Sequence, residues 1–191
     1  MKKKIILIGS GGHCNSCIDV IESSNKYDIA GLISKNKKST NINKYKIIGE
    51  DKDLPEIFKK YKLAHIAIGQ IKNLDLRKKI FMKLKKIGFK LPVIISKHSV
   101  VSRNSKIGEG TIIMHNSVIN YNAEIQENCI INTKAIIEHD TLIGAHTHIS
   151  TGCTINGNNH VGEQSFIGSG TITRENAIIK KKSYIKMLSK I

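Results

Sequence analysis

Residues 107–168 read IGEGTI-IMHNSV-INYNAE-IQENCI-INTKAI-IEHDTL-IGAHTH-ISTGCT-INGNNH-VGEQSF-IG when broken at every sixth position, and each unit opens on isoleucine or valine. The register runs without insertion from Ile95 to Ile191, and among the leading positions only Thr173 is not aliphatic. Four residues after each leader stands a small side chain, as in Ser117, Ala123, Cys129, Ala135 and Thr141, with Asn159 the one sizeable exception. A period of six matches neither a helix at 3.6 nor an isolated amphipathic strand at 2. It fits a short strand plus a turn, repeated so that equivalent side chains stack in columns. β-Branched leaders suit a packed, pleated interior, and small residues suit a chain that bends inward. Gly108, Gly144, Gly162 and Gly168 directly follow leaders, where a tight turn is expected to draw on glycine's freedom. Ile172 is expected to compensate in part for Thr173. A sandwich of ordinary strands would need irregular turn spacing, which is absent.

Upstream of the repeat the pattern changes. Lys4–Ile8 reads as a buried strand, followed by Gly9-Ser10-Gly11-Gly12-His13 and a helix across Ile18–Ser23. Tyr27–Ile33 reads as a second strand, Asp53–Tyr61 as a helix, His65–Ile68 as a third strand ending at Gly69, and Leu74–Ile87 as a helix. This is a Rossmann-like βαβ domain over residues 1–92, with Pro92 marking its end and the β-helix over 93–191. A glycine turn between a strand and a helix offers backbone N–H groups to phosphate. The full dinucleotide fingerprint is not met, because Cys14 stands at the third glycine and Ser34-Lys35-Asn36 replace the expected acid. A nucleotide or nucleotide sugar fits this turn better than NAD does.

Composition bounds the partners. Lys+Arg 31 against Asp+Glu 15 gives a net charge of +16 over 191 residues, a field that favours anionic partners. Aromatics are 5% with no Trp, so nucleic acid would find few stacking platforms and is not expected as a partner. No apolar run approaches the ~18 residues of a membrane span. The opening MKKKIILIGSGG has only a short apolar stretch before its glycines and reads as a first strand of a cytoplasmic protein. Cys14 and Cys17 form a C-x-x-C near a helix start, where simple packing is the expected role.

The hexads resemble the hexapeptide-repeat acyltransferase superfamily. The glycine turn, the Ala67-Ile68-Gly69 segment and the Ile136-Ile137-Glu138-His139-Asp140 run narrow the resemblance. Together they are similar to the group of sialic acid O-acetyltransferases and UDP-4-amino-sugar N-acetyltransferases. That resemblance implies a left-handed parallel β-helix with three hexads per triangular coil, hence 18 residues per turn and a prism about 25 Å tall. It also implies a homotrimer with active sites between subunits, and acetyl-CoA as co-substrate without a metal. The small domain would bind the sugar nucleotide through Gly11, Gly12, His13 and Gly69. Two departures stand out: Ser34-Lys35 replace the paired aspartates frequent in relatives, and the C-terminal stretch lacks the usual Gly-x-Pro-Ala-Lys tail.

Acetyl transfer to an amine or hydroxyl needs a base for the attacking group's proton, and histidine titrates in the useful range. The resemblance assigns His139 as base and Asp140 as the acid that raises its basicity, with Glu138 a weaker orienting candidate. Coil arithmetic places Tyr121 one coil below His139 and Gly157 one coil above, leaving a space beside the imidazole flanked by Asn156 and Asn158. His148, nine residues on, should face the opposite side of the prism. The resemblance makes it an acetyl-CoA contact, with Gly168 and Ser169 guiding the pantetheine arm and Lys180–Lys182 near the coenzyme phosphates. Cys153 is an inward repeat position and no serine is tied to His139, so direct attack without an acyl-enzyme is expected. The leading reading is a cytoplasmic sugar N-acetyltransferase of surface glycan biosynthesis, with O-acetylation of sialic-acid-like sugars next. A γ-carbonic-anhydrase-like zinc enzyme built on His115, His146, His148 and His160, and a non-catalytic binding protein, are the readings from other classes.

Overall fold

A computed structural model describes residues 2–35, 41–42, 44–71 and 73–191. Asn36, counted above with Ser34-Lys35, lies outside them. The chain divides into two compact units, one running to Gly69 and including Lys79–Pro92, the other formed by Gln70–Lys78 with Val93–Ile191.

In the first unit the strands are β1 (Lys3–Ile8), β2 (Tyr27–Ile33), β3 (Asn41–Ile42), β4 (Tyr45–Gly49) and β5 (Leu63–Ile66), ordered β3-β4-β2-β1-β5. All pairings are parallel except β3 with β4. The central run Ile5-Ile6-Leu7-Ile8 is buried on both faces, as a strand inside a parallel sheet must be. Strand β4, between β3 and β2, was not foreseen, since Lys44 and Lys46 around Tyr45 mask a short strand. The unit's helices are α1 (Gly12–Ser24), α2 (Leu54–Lys60) and, from Lys79 on, α3 (Leu74–Ile87). Helix α1 starts at Gly12, well before the Ile18 expected from apolar spacing, because the glycine turn itself forms the first helical residues. Cys14 and Cys17 are buried in α1, and burial pushes the Cys14 thiol up to about 11.

In the second unit every strand pairs with the segments eighteen residues away, as in Val118↔Ile136↔Thr154 and Ile131↔Ile149↔Ile167. Three parallel ladders result, and the leaders Ile113, Ile131, Ile137, Ile143, Ile149 and Ile155 fill one dry interior. Each fully buried isoleucine contributes roughly 2–3 kcal/mol of transfer free energy, so the repeat carries this unit's stability.

Four features of the coil correct or extend the sequence reading. The glycines after leaders do not adopt positive φ. A Cβ on Gly108, Gly144, Gly162 or Gly168 would lie 2.4–2.5 Å from a backbone nitrogen of the next coil, so close approach of the chain demands them. Positive φ falls instead on the third residue after each leader, at every such position from Gly110 to Leu188. Asn116, Asn122, Asn128, Asn158 and Asn176 hold it alongside three glycines, as the local tolerance of Asn and Gly for the left-handed region predicts.

The small inward slot is also a hydrogen-bonding slot. Ser117, Thr141 and Thr147 donate to the carbonyls of Asn132, Asn156 and Gly162, fifteen residues on. Cys129 and Cys153 donate their thiols to Gly144 and Gly168 in the same way. The two exceptions to the hexad rule prove to be one feature: Asn159 Nδ2 donates to Thr173 Oγ1 at 3.1 Å. Thr173 is 1% exposed while Ile172 is 47% exposed. Ile172 therefore points away, and Asn159 is what completes the interior at Thr173.

Candidate active site

His139 and Asp140 sit on the corner between the ladder through Ile136 and the ladder through Leu142. The inward Ile137 and Thr141 on either side fix that corner, so the residues between them must project outward. His139 Nδ1 donates to Asp140 Oδ2 at 2.8 Å. Asn122 Nδ2 donates to the other oxygen, Oδ1, at 2.7 Å. The pair is solvent-facing, with side chains 59% and 47% exposed. The hydrogen bond to Asp140 raises the pKa of His139, and Glu138 and Glu175 add to it by charge. Asp140 is held below its ordinary value by Asn122 first and His139 second. With Nδ1 bearing the shared proton, Nε2 carries the lone pair that can act as base.

Glu138 does not orient the imidazole by hydrogen bonding. Its Oε2 accepts from Asn120 Nδ2 at 2.7 Å, since the residue before His139 faces the column of Asn120. The coil arithmetic otherwise holds: Tyr121 is 59% exposed one coil below, and Gly157 lies against the ring. The space beside Gly157 is occupied by the imidazole itself, because a Cβ on Gly157 would come within 2.7 Å of His139 Nε2. Asn156 and Asn158 direct their amides to the Thr173 carbonyl and to Asn176 Oδ1, both 2.7 Å away.

His148 belongs to the third ladder, which faces away from the His139 corner. It is 4% exposed. Nδ1 donates to the Gln70 carbonyl at 2.6 Å, and Nε2 accepts from Asn132 Nδ2 at 3.2 Å. Burial pushes its pKa down to about 4, so the ring is neutral. Gln70 and Arg77 stand near it, anchored by Gln70 Nε2 on the His146 carbonyl and by Arg77 Nε on the Asn128 carbonyl. Sequence spacing gave no sign of these contacts, which come from more than fifty residues away along the chain. Gly168 spends its N–H on the Ile185 carbonyl and is buried, so it contributes shape. Ser169 is exposed, with Oγ 2.8 Å from Ser150 Oγ. Lys180–Lys182 are exposed.

In the first unit the glycine turn and the end of β5 converge. Gly11 caps the N-terminus of α1, and a Cβ on Gly11 or Gly12 would meet nothing within 4 Å. Both therefore border open space where a helix terminus presents its N–H groups. Gly69 packs beside His13, its Cβ direction 3.6 Å from His13 Cβ. Gly9 (φ 122°) is forced by close passage, since a Cβ there would lie 2.7 Å from Ile68. Ser34 occupies the position of the missing acid and ties the turn to β2, with Oγ 2.6 Å from Ser10 Oγ.

Cys129 and Cys153 are fully buried and burial raises both thiols, Cys129 to about 12. Neither is a nucleophile in this fold. Among the described residues no group of three His, Cys, Asp or Glu is placed to hold a metal ion. His115 instead lies 2.6 Å from Ser96 Oγ, and His146 accepts from Asn128. No described helix is long and apolar enough to cross a membrane.

Residues 4–84 match the PglD N-terminal domain family, and residues 104–138 match the bacterial transferase hexapeptide (six repeats) family. The chain is similar to the acetyltransferase domain of PglB from Neisseria gonorrhoeae FA1090, with 28% identity and TM-score 0.91, over 100% of this chain and 91% of that one. The same domain in complex with acetyl coenzyme A matches at 26% identity and TM-score 0.91, covering 100% and 93%. A histidine-to-asparagine mutant of perosamine N-acetyltransferase from Caulobacter crescentus, in complex with CoA and GDP-perosamine, shares the fold at 18% identity and TM-score 0.77, covering 92% and 90%. No curated protein matches by sequence. These likenesses bear out the expected Rossmann-like domain followed by a left-handed parallel β-helix.

Proposed function

We propose that this chain, a hexapeptide-repeat acyltransferase with a PglD-type N-terminal domain, transfers acetyl from acetyl-CoA to the amino group of a nucleotide-linked sugar. The observation that carries the reading is the exposed His139–Asp140 pair, with Nδ1 bonded to the carboxylate and Nε2 left to accept a proton. The acceptor amine attacks the thioester carbonyl, and His139 takes the proton the nitrogen loses as the C–N bond forms. The tetrahedral intermediate collapses with loss of the CoA thiolate, which is protonated in turn. Asp140 stabilises the imidazolium formed in between. Direct attack suits this site, since its cysteines are buried and their thiols raised.

The glycine turn supports the choice of a nucleotide sugar. Gly11 and Gly12 open onto unfilled space at the N-terminus of α1, with His13 packed beside Gly69 next to them. In this reading they hold the activated sugar, while Ser169 and the face near His148 serve the coenzyme. The outward column Val100, Val118, Ile136, Thr154 and Ile172 beside the His139 corner supports a homotrimer with shared sites. Val100 is 65% and Ile172 47% exposed, an apolar surface that a second copy would cover. The setting is the cytoplasm and the role glycan biosynthesis.

The test is to incubate purified protein with acetyl-CoA and a panel of nucleotide-linked amino sugars, their hydroxy counterparts and sialic acids, following free thiol. Thiol release with amino sugars that is abolished by His139→Ala supports the reading. Release with hydroxyl acceptors alone would move the assignment to O-acetylation, and no release with any acceptor would overturn it.

A further inference from the structure

From Gly110 to Leu188 the third position after each leader has positive φ, so its side chains stack eighteen residues apart. In the column of Asp140 these are Asn122, Asp140, Asn158 and Asn176, with φ values of 55°, 57°, 54° and 58°. Asn122 Nδ2 meets Asp140 Oδ1 at 2.7 Å and Asn158 Nδ2 meets Asn176 Oδ1 at 2.7 Å. The Asp140 carboxylate therefore has one oxygen fastened from the coil below and presents the other to His139 Nδ1. A carboxylate held at one oxygen is restrained from turning its second away from the imidazole. An exposed Asp–His pair without such an anchor would spend its time among rotamers.

We propose that Asn122 is a positioning residue for acetyl transfer, acting through Asp140 to hold His139 in the tautomer and orientation that leave Nε2 as base. The inference rests on the acetyl-transfer reading of His139. Asn122 touches neither reactant; it determines where the carboxylate stands. The charged groups facing the imidazole are Asp140, Glu138 and Glu175, and of these only Asp140 bonds to it.

Asn122→Gly removes the amide without straining the backbone, because glycine accepts positive φ freely. Asn116→Gly, at the equivalent position of another column with φ 59°, is the matched control. The expected result is a roughly ten-fold fall in kcat for Asn122→Gly, with KM for acetyl-CoA unchanged and unaltered circular dichroism. The NMR titration midpoint of His139, followed without substrate, should move down as the Asp140 bond loosens. Asn122→Ser, which keeps a shorter donor, should recover part of the loss, and Asn116→Gly should behave as wild type. An unchanged His139 titration and kcat in Asn122→Gly would overturn the inference while leaving the enzyme assignment intact. A wild-type protein without His139-dependent thiol release would instead remove the functional reading, with the titration still reporting on Asn122.

Discussion

Gly157 lies directly against the imidazole of His139, so closely that a Cβ there would be 2.7 Å from Nε2 and 2.8 Å from Cε1. The eighteen-residue coil makes these two residues vertical neighbours, and the glycine gives the ring its place. Gly157 has no positive φ to explain it, so contact with the ring is its reason.

Gly157→Ala should therefore push the imidazole off its position while leaving the Ile137–Ile155 stack below it untouched. Displacing a base by about 1 Å costs on the order of 10²-fold in rate. The expected result is that loss in kcat, with thermal stability and oligomeric state preserved. Wild-type kinetics in Gly157→Ala would show that the ring moves freely and that its placement is unimportant.

The Asp140 bond also sets the pH dependence. His139 must be neutral to accept a proton, and its pKa is raised by Asp140. The rate should climb with pH through an inflection above the ordinary histidine value of about 6.5. Asp140→Asn removes both the charge and the accepting carboxylate, so the inflection should move down and the plateau should fall by roughly 10²-fold. An inflection that stays in place would mean that another group titrates. Plots of kcat against pH for the two proteins decide it.

The solenoid was legible because its rule is repeated at every hexad and one misplaced residue cannot hide it. The His139 corner was legible for the same reason, since register alone turns it outward and places Tyr121 below and Gly157 above. The recurrence of Asn and Gly three residues after many of the leaders was equally visible, and with the left-handed region in mind it would have given the Asn122–Asp140 contact. His148 was not legible. Its ring is tied to the Gln70 carbonyl, which lies in a stretch without hexads whose packing no local pattern encodes. Glu138 was misread because a carboxylate adjacent in sequence to a histidine need not share its column. Asn159 and Thr173 looked like two errors until their hydrogen bond was seen.

His148 makes a stability prediction of its own. Its folded pKa is about 4 because burial disfavours the charged ring, against about 6.5 in an unfolded chain. The unfolded state binds the extra proton between these values, so stability rises with pH across that window and is lost as pH falls from about 6.5 toward 4. The gap corresponds to ~3 kcal/mol. His146, also lowered by burial, acts in the same direction. His148→Asn keeps a donor for the Gln70 carbonyl and cannot titrate. It should be somewhat less stable at neutral pH and should flatten the slope of denaturation midpoint against pH. An undiminished slope would place the acid sensitivity elsewhere.

The last prediction concerns the paired exceptions. Asn159 Nδ2 reaches Thr173 Oγ1, and it also donates to the Arg174 carbonyl at 2.9 Å. Asn156 N–H likewise turns to Thr173 Oγ1 at 2.9 Å, whereas the equivalent N–H of Glu138 takes the Ile155 carbonyl. Thr173→Ile alone should crowd the Asn159 amide and take away its hydroxyl partner, at about 1–3 kcal/mol. Asn159→Ala alone should leave a void and a buried hydroxyl with fewer partners, at a similar cost. The double variant restores an aliphatic leader over a small slot, and Asn156 can then adopt the ordinary ladder bond. It should lose at least about 1 kcal/mol less than the sum of the single changes, read from chemical denaturation of all four proteins. Additive losses would show that the two positions are independent irregularities of the repeat.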